Sequence, residues 1–298
     1  MSVAQGRSDV ILVIAHPDDE ILASGTLCLL AEKGLSITIV SVTDGEGGCR
    51  DILHPQSGAP LGTIRRHELT LSVWTLGATE VIALGYPDIP EPIGPDPEEW
   101  DETAVVSALD RIFRQHDPDL ILTHGPQGGY GHPAHKVVHR HVMKAAAQCD
   151  FRGTIFAFCG MIARSRYANW LDEPSDVIID ASGFLLRRAV SLAYHQSQLG
   201  FFLQPYFPRT LRDWRSTLLG YAFWFTAFGR KRIPIGTTTR FFERYPAEGL
   251  VLQKPAHERG STCFLERFSD DPRVKIVRQG PLAPPARATS GTPALEQD

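Results

Sequence analysis

The sequence predicts a Rossmann-like α/β fold, three layers deep (αβα), with a mostly parallel sheet and a C-terminal extension. Three observations carry this expectation. Over the first 160 residues, short aliphatic runs alternate with segments of helical periodicity. The runs are continuously apolar, the pattern of parallel strands covered on both faces. The chain has 298 residues, 43% of them hydrophobic, enough to fill a full core.

The elements follow in order. "DVILVIAH" reads as strand one, and a helical pattern runs over about 19–33. "SITIVSVT" is strand two, followed by helical periodicity over 63–77. "EVIAL" is strand three, with a helix over 100–116; "DLILTH" is strand four, with a helix over 132–148; "TIFAF" is strand five. Residues 45–62 and the proline-rich 85–97 ("GYPDIPEPIGPDP") read as loops, since proline suits neither a helix interior nor a central strand. Ligands of such sheets bind beyond the carboxyl ends of the strands. His16, the segment Thr43-Asp44-Gly45-Glu46, Asp88 and His124 all fall at those ends.

One domain is expected over 1–270, with an aromatic-rich insertion or lid over 201–240 and a disordered tail over 271–298. The stretch 201–228 holds ten of the chain's 27 aromatics. It reads either as a core helix or as an apolar lid for a hydrophobic substrate, with the basic "GRKR" behind it suiting peripheral contact with a membrane. Net charge is −4 and the pI about 6.3, so nucleic acid is not expected as a partner. No apolar run is long enough to span a bilayer and no signal peptide is visible, which makes a cytoplasmic protein the expectation. The five cysteines are scattered and form no C-x-x-C pair, as in reduced proteins.

The chemistry concentrates in two short stretches. In "AHPDDE", His16 and Asp19 are spaced i, i+3 after strand one. In "GHPAH", His132 and His135 repeat that spacing around a proline at a helix start. His16, Asp19 and His135 make a three-ligand donor set with one open position, the pattern of catalytic zinc. Asp18 then stands beside the metal as a base for water, and His132 as a donor to a developing oxyanion. The bare pattern is equally compatible with a structural histidine cluster, its carboxylates complementing a helix dipole. "HPAH" is not H-E-x-x-H, which argues against a zincin protease.

"AHPDDE" after a first strand resembles the signature of the LmbE-like (PIG-L) family of zinc-dependent de-N-acetylases. "SVTDGEGG", "IRRHELTLSVWTLGATEVIALGYPD", "GHPAH" and "RRAVSLAYHQSQ" resemble further family segments in the same order, over roughly residues 10–200. The resemblance implies a zinc-dependent hydrolase, another divalent metal being an alternative, that removes an N-acetyl or other N-acyl group from an N-acetylglucosamine-type conjugate. It implies His16, Asp19 and His135 as ligands, Asp18 as general base, and His132 as the group that stabilises the oxyanion and can protonate the amine. Glu46, Arg65 and Asp88 match positions facing the sugar. Their structural alternatives are a helix-surface pair of Arg65 with Glu68, and Asp88 as a turn former. Ala134 departs from the pattern, because the family usually has aspartate there to orient the first histidine. The competing reading is a non-catalytic Rossmann-like ligand-binding protein, although "TDGEGG" is not the dinucleotide fingerprint.

Overall fold

In a computed structural model, residues 7–48, 59–88, 100–129, 131–162, 175–198, 235–254 and 264–277 are described. The aromatic stretch 201–228 and residues 278–298 lie outside them. The strands are β1 (Val10–Ile14), β2 (Ile37–Thr43), β3 (Glu80–Tyr86), β4 (Leu120–His124), β5 (Thr154–Ile162), β6 (Val177–Asp180), β7 (Ala247–Lys254) and β8 (Val274–Ile276). The helices are α1 (Ser24–Glu32), α2 (Leu61–Leu76), α3 (Glu102–His116), α4 (Pro133–Gln148), α5 (Leu185–Tyr194) and α6 (Ile235–Arg244).

The strands form one eight-stranded sheet of order β3-β2-β1-β4-β5-β7-β6-β8. Pairings from β3 to β5 are parallel; those among β5, β7, β6 and β8 are antiparallel. The chain leaves β1 toward β2 on one side and returns to β4 on the other, so β1 and β4 flank the topological switch point.

Strand β1 shows why the apolar runs are continuous. Val10, Leu12 and Ile14 face a core built with α1 and α2, including Leu27, Leu30, Leu69 and Val73. Ile11, Val13 and Ala15 face a second core built with α3 and α4, including Leu109, Phe113, Val137 and Val142. Both faces are therefore sealed, and truncating a residue such as Leu12 to alanine would cost about 2–5 kcal/mol.

Two expectations are corrected. The helix expected from residue 19 is a 3-10 turn over Asp19–Ala23, and α1 begins only at Ser24. Its N-terminus has no local side-chain cap. Glu248 on β7 caps it instead, accepting from Gly25 N–H (2.6 Å), Thr26 N–H (2.8 Å) and Thr26 Oγ1 (2.8 Å). The buried Arg188 of α5 donates to the same carboxylate at 3.0 Å. Position 25 must be glycine, since a Cβ there would lie 2.1 Å from Ala181 Cβ. The second correction concerns the tail assigned from 271: Val274–Ile276 is a strand, paired with β6. Three residues are too few to show a period in the sequence.

Candidate metal centre and active site

The carboxyl ends of β1, β2 and β4 are stitched together before any functional side chain is placed. Ala15 C=O accepts from Thr43 N–H (3.0 Å) and Thr43 Oγ1 (2.8 Å), and Ala15 N–H donates to His124 Nε2 (3.0 Å). The next residue is His16. Its backbone N–H donates to Asp19 Oδ2 at 2.8 Å, closing the turn that brings both side chains to the sheet edge.

From the other side, α4 delivers two histidines. His132 is its N-cap, with Nδ1 accepting the Ala134 N–H at 3.2 Å, and Pro133 occupies the first helical position. His135 follows within the first turn, its Nδ1 donating to the Gly128 carbonyl at 3.2 Å. Its Nε2 lies 3.2 Å from Asp19 Oδ1. Gly128 is required here: its φ is 71°, and a Cβ would meet His132 O at 2.6 Å.

The result is a buried cluster. His16 Nδ1 lies 3.5 Å from Asp19 Oδ2, and His16 Nε2 lies 3.0 Å from Asp88 Oδ1. The His132 and His135 rings stack at 4.6 Å, and His124 stacks on His135 at 3.9 Å. Two sets of three residues bring one donor atom each within 4.8 Å of the others: His16, His132 and His135, and Asp19, His124 and His135. The imidazole–carboxylate donor set fits a divalent cation.

The electrostatics follow from burial and close packing. Burial pushes His124 and His132 down to about 3. His16 is carried up to about 10, because its hydrogen bonds and charge contacts with Asp19 and Asp88 outweigh burial. Asp18 is pushed up to about 6 by burial, with the Asp19 charge adding to this and the Arg65 guanidinium opposing it.

Asp18 stands beside the cluster with φ 123° and ψ −15°. This backbone conformation costs a non-glycine residue about 1–3 kcal/mol. Arg65 Nη2 holds Asp18 Oδ1 (3.2 Å) and the Pro17 carbonyl (2.7 Å), while Nη1 holds the Gly45 carbonyl (2.7 Å). Arg65 is thus buried behind the loops. The helix-surface pairing with Glu68 does not form: Glu68 is also buried, and accepts from Ser197 N–H and Oγ. Asp88 is more than a turn former, pairing with His16 and accepting from Gly47 N–H at 3.0 Å. Glu46 is exposed at the rim, its carboxylate accepting the Asp88 N–H at 3.0 Å.

Three further residues shape this region. His124 closes strand β4, Glu20 follows the two aspartates in "PDDE", and His195 opens the "HQSQ" segment. His195 Nε2 donates to Glu20 Oε1 at 2.5 Å across 175 residues, a partnership no local spacing announces.

A doubly wound sheet with a buried histidine–carboxylate cluster at its switch point, its donor atoms close enough to share one ion, defines the class of α/β protein that gathers its chemistry at the carboxyl ends of its strands. Residues 11–146 match the PIG-L family, described as GlcNAc-PI de-N-acetylase. The chain is 30% identical over 236 residues to a 1D-myo-inositol 2-acetamido-2-deoxy-alpha-D-glucopyranoside deacetylase of Acidothermus cellulolyticus, covering 64% of this chain and 79% of that one. A deacetylase of the same description from Corynebacterium diphtheriae is 35% identical over 162 residues, 49% of this chain and 55% of that protein, so the match spans about half its length. The chain belongs to the PIG-L family.

Among solved structures, N,N'-diacetylchitobiose deacetylase from Pyrococcus horikoshii superposes with a TM-score of 0.51 at 23% identity, covering 83% of this chain and 84% of that one. A 4-carboxy-2-hydroxymuconate hydratase from Pseudomonas putida superposes with a TM-score of 0.53 at 18% identity, covering 85% and 99%. These likenesses establish the fold. Since a hydratase shares it, the reaction has to be argued from the site.

Proposed function

We propose that the protein is a metal-dependent amidohydrolase that removes an N-acyl group, acetyl in the first instance, from an N-acetylglucosamine-type sugar conjugate. The observation that carries this reading is the buried cluster of His16, Asp19, His124, His132 and His135, in which we assign His16, Asp19 and His135 as ligands, with Asp18 alongside. The tautomers support this choice of ligands. The ring lone pair of His124 is taken by the Ala15 amide, and that of His132 by the Ala134 amide. Each of those rings therefore spends on the backbone the electrons a metal would need.

When bound, a zinc-type ion supplies Lewis acidity toward the acyl carbonyl and the attacking water. The chain's residues do the rest. Asp18 accepts the water proton, and its upward shift places it in the range that suits a base working near neutrality. His132, neutral and accepting at Nδ1, presents Nε2–H as a donor toward the oxyanion. Because His132 is held neutral, Asp18 is the group that hands the proton to the departing sugar amine. This fits Ala134: position 134 offers no carboxylate to His132, and the pull of Asp19 and Asp88 toward an imidazolium does not outweigh burial. Asp88 and Glu46 form the polar rim that meets sugar hydroxyls, and Arg65 supports the site from behind.

The relatives named as deacetylases of a 2-acetamido-2-deoxyglucopyranoside support the sugar class. Cys28 and Cys149 are free thiols, which suits a reducing, cytoplasmic setting. No helix among the described residues is long and apolar enough to cross a membrane. The test is release of acetate and free amine from N-acetylglucosaminyl-inositol by zinc-loaded protein. Loss of both metal and activity in His16→Ala and His135→Ala is expected. Turnover that persists in metal-stripped protein would overturn the reading.

A further inference from the structure

The peptide unit between Pro17 and Asp18 is gripped at both ends. Its carbonyl accepts from Arg65 Nη2 at 2.7 Å, and its N–H donates to Glu20 Oε2 at 3.0 Å. Rotation of this plane is what φ of Asp18 measures. The value of 123° lies where an L-residue stays only if its surroundings hold it.

Glu20 is itself held. Its other oxygen accepts from His195 Nε2 (2.5 Å) and Ser72 Oγ (2.5 Å), and Ser191 Oγ lies 2.6 Å from Ser72 Oγ. Since Ser72 gives its hydrogen to Glu20, Ser191 gives its own to Ser72. Glu20, Ser72, Ser191 and His195 are all fully buried. They come from the turn after β1, from α2, from α5 and from the residue that ends α5. A carboxylate buried this deeply is costly unless each oxygen has donors, and here each does.

We infer that Glu20 is a positioning residue for Asp18, with His195, Ser72 and Ser191 as the brace that aims it. The inference rests on the reading of Asp18 as the base. Glu20 makes no contact with substrate in this scheme. It sets the angle at which the Asp18 carboxylate meets the water, and a carboxylate misplaced by about 1 Å costs on the order of 10²-fold in rate. The brace also couples the catalytic turn to the packing of α5 on α2.

The test compares Glu20→Leu with Glu20→Gln. Leucine removes the acceptor for the Asp18 N–H, whereas glutamine keeps one carbonyl oxygen able to take it. In Glu20→Leu, kcat should fall about 10–10²-fold while KM stays within about twofold and metal content per chain is unchanged. Glu20→Gln should recover most of the rate. A crystal structure of Glu20→Leu should show φ of Asp18 leaving the positive region. Should that variant not fold, Ser72→Ala and His195→Leu carry the same kcat-against-KM test, with His195→Gln as the conservative rescue. Unchanged kcat, or parallel loss of metal, KM and kcat, overturns the inference. If the wild type releases no amine from any N-acyl sugar, the deacetylase reading fails, and the φ of Asp18 in Glu20→Leu still decides this one.

Discussion

Asp18 and Arg65 share a contact that makes two separable predictions. Replacing Asp18 by asparagine keeps the shape and removes the proton acceptor. Asp18→Asn should retain its metal by elemental analysis and lose about 10²–10⁴-fold in kcat, the usual worth of a general base. Loss of metal in that variant would make Asp18 a ligand instead. Arg65 acts on the same carboxyl through charge. Burial pushes Asp18 up to about 6, and the guanidinium works against that push. Without the cation, the carboxylate form is less favoured and the pKa rises further. As the proposed base Asp18 must be unprotonated, so activity is expected to be lost as pH falls through that pKa. Arg65→Gln should therefore move the acid limb of the pH–kcat profile to higher pH. An unmoved limb would mean that Asp18 is not the group responsible for it.

At the level of elements, the clamp of Glu248 and Arg188 on the start of α1 matters most. Removing one partner of a buried ion pair leaves the other charge stranded, which typically costs about 3–5 kcal/mol. Glu248→Ala should lower unfolding free energy by about that amount in a denaturant titration, with much of the loss recovered when Arg188→Met is added. A change below about 1 kcal/mol would mean that water takes over the four donors. The clamp also shows where sequence reading stops. Strands β1 to β5 and helices α1 to α4 were legible because each carries a period or a sealed apolar run. The antiparallel additions β6, β7 and β8 were not. "AEGLVLQK" mixes glycine and charges, and its glutamate faces inward because α1 needs a cap. Likewise, the i, i+3 spacing made His16, Asp19 and His135 visible. His124, Glu20 and His195 act through contacts 109 and 175 residues apart in sequence, which no window detects.

For the whole molecule, the proposed cation site links binding to stability. Four histidine rings crowd together with Asp19 and Asp88, and an ion that binds only the folded chain adds RT ln(1 + [L]/Kd), about 2.7 kcal/mol at a hundredfold excess over Kd. Zinc should raise the melting temperature of metal-free protein and EDTA should reverse the shift, while His135→Ala should abolish it. An equal zinc shift in His135→Ala would place the ion elsewhere.

Strand β1 is paired with β2 on one side and β4 on the other, with no solvent-facing surface on either face. Backbone amides in such a strand exchange with deuterium only when the entire domain opens, because no smaller motion uncovers them. The His16 turn is the direct continuation of that strand. Its geometry is therefore as durable as the global fold, whereas Glu46, at the exposed rim, has no such protection. A single protein of this design would show slow exchange at Leu12–Ile14 and faster exchange at Glu46, a gradient running from the buried histidine–carboxylate cluster to the exposed rim.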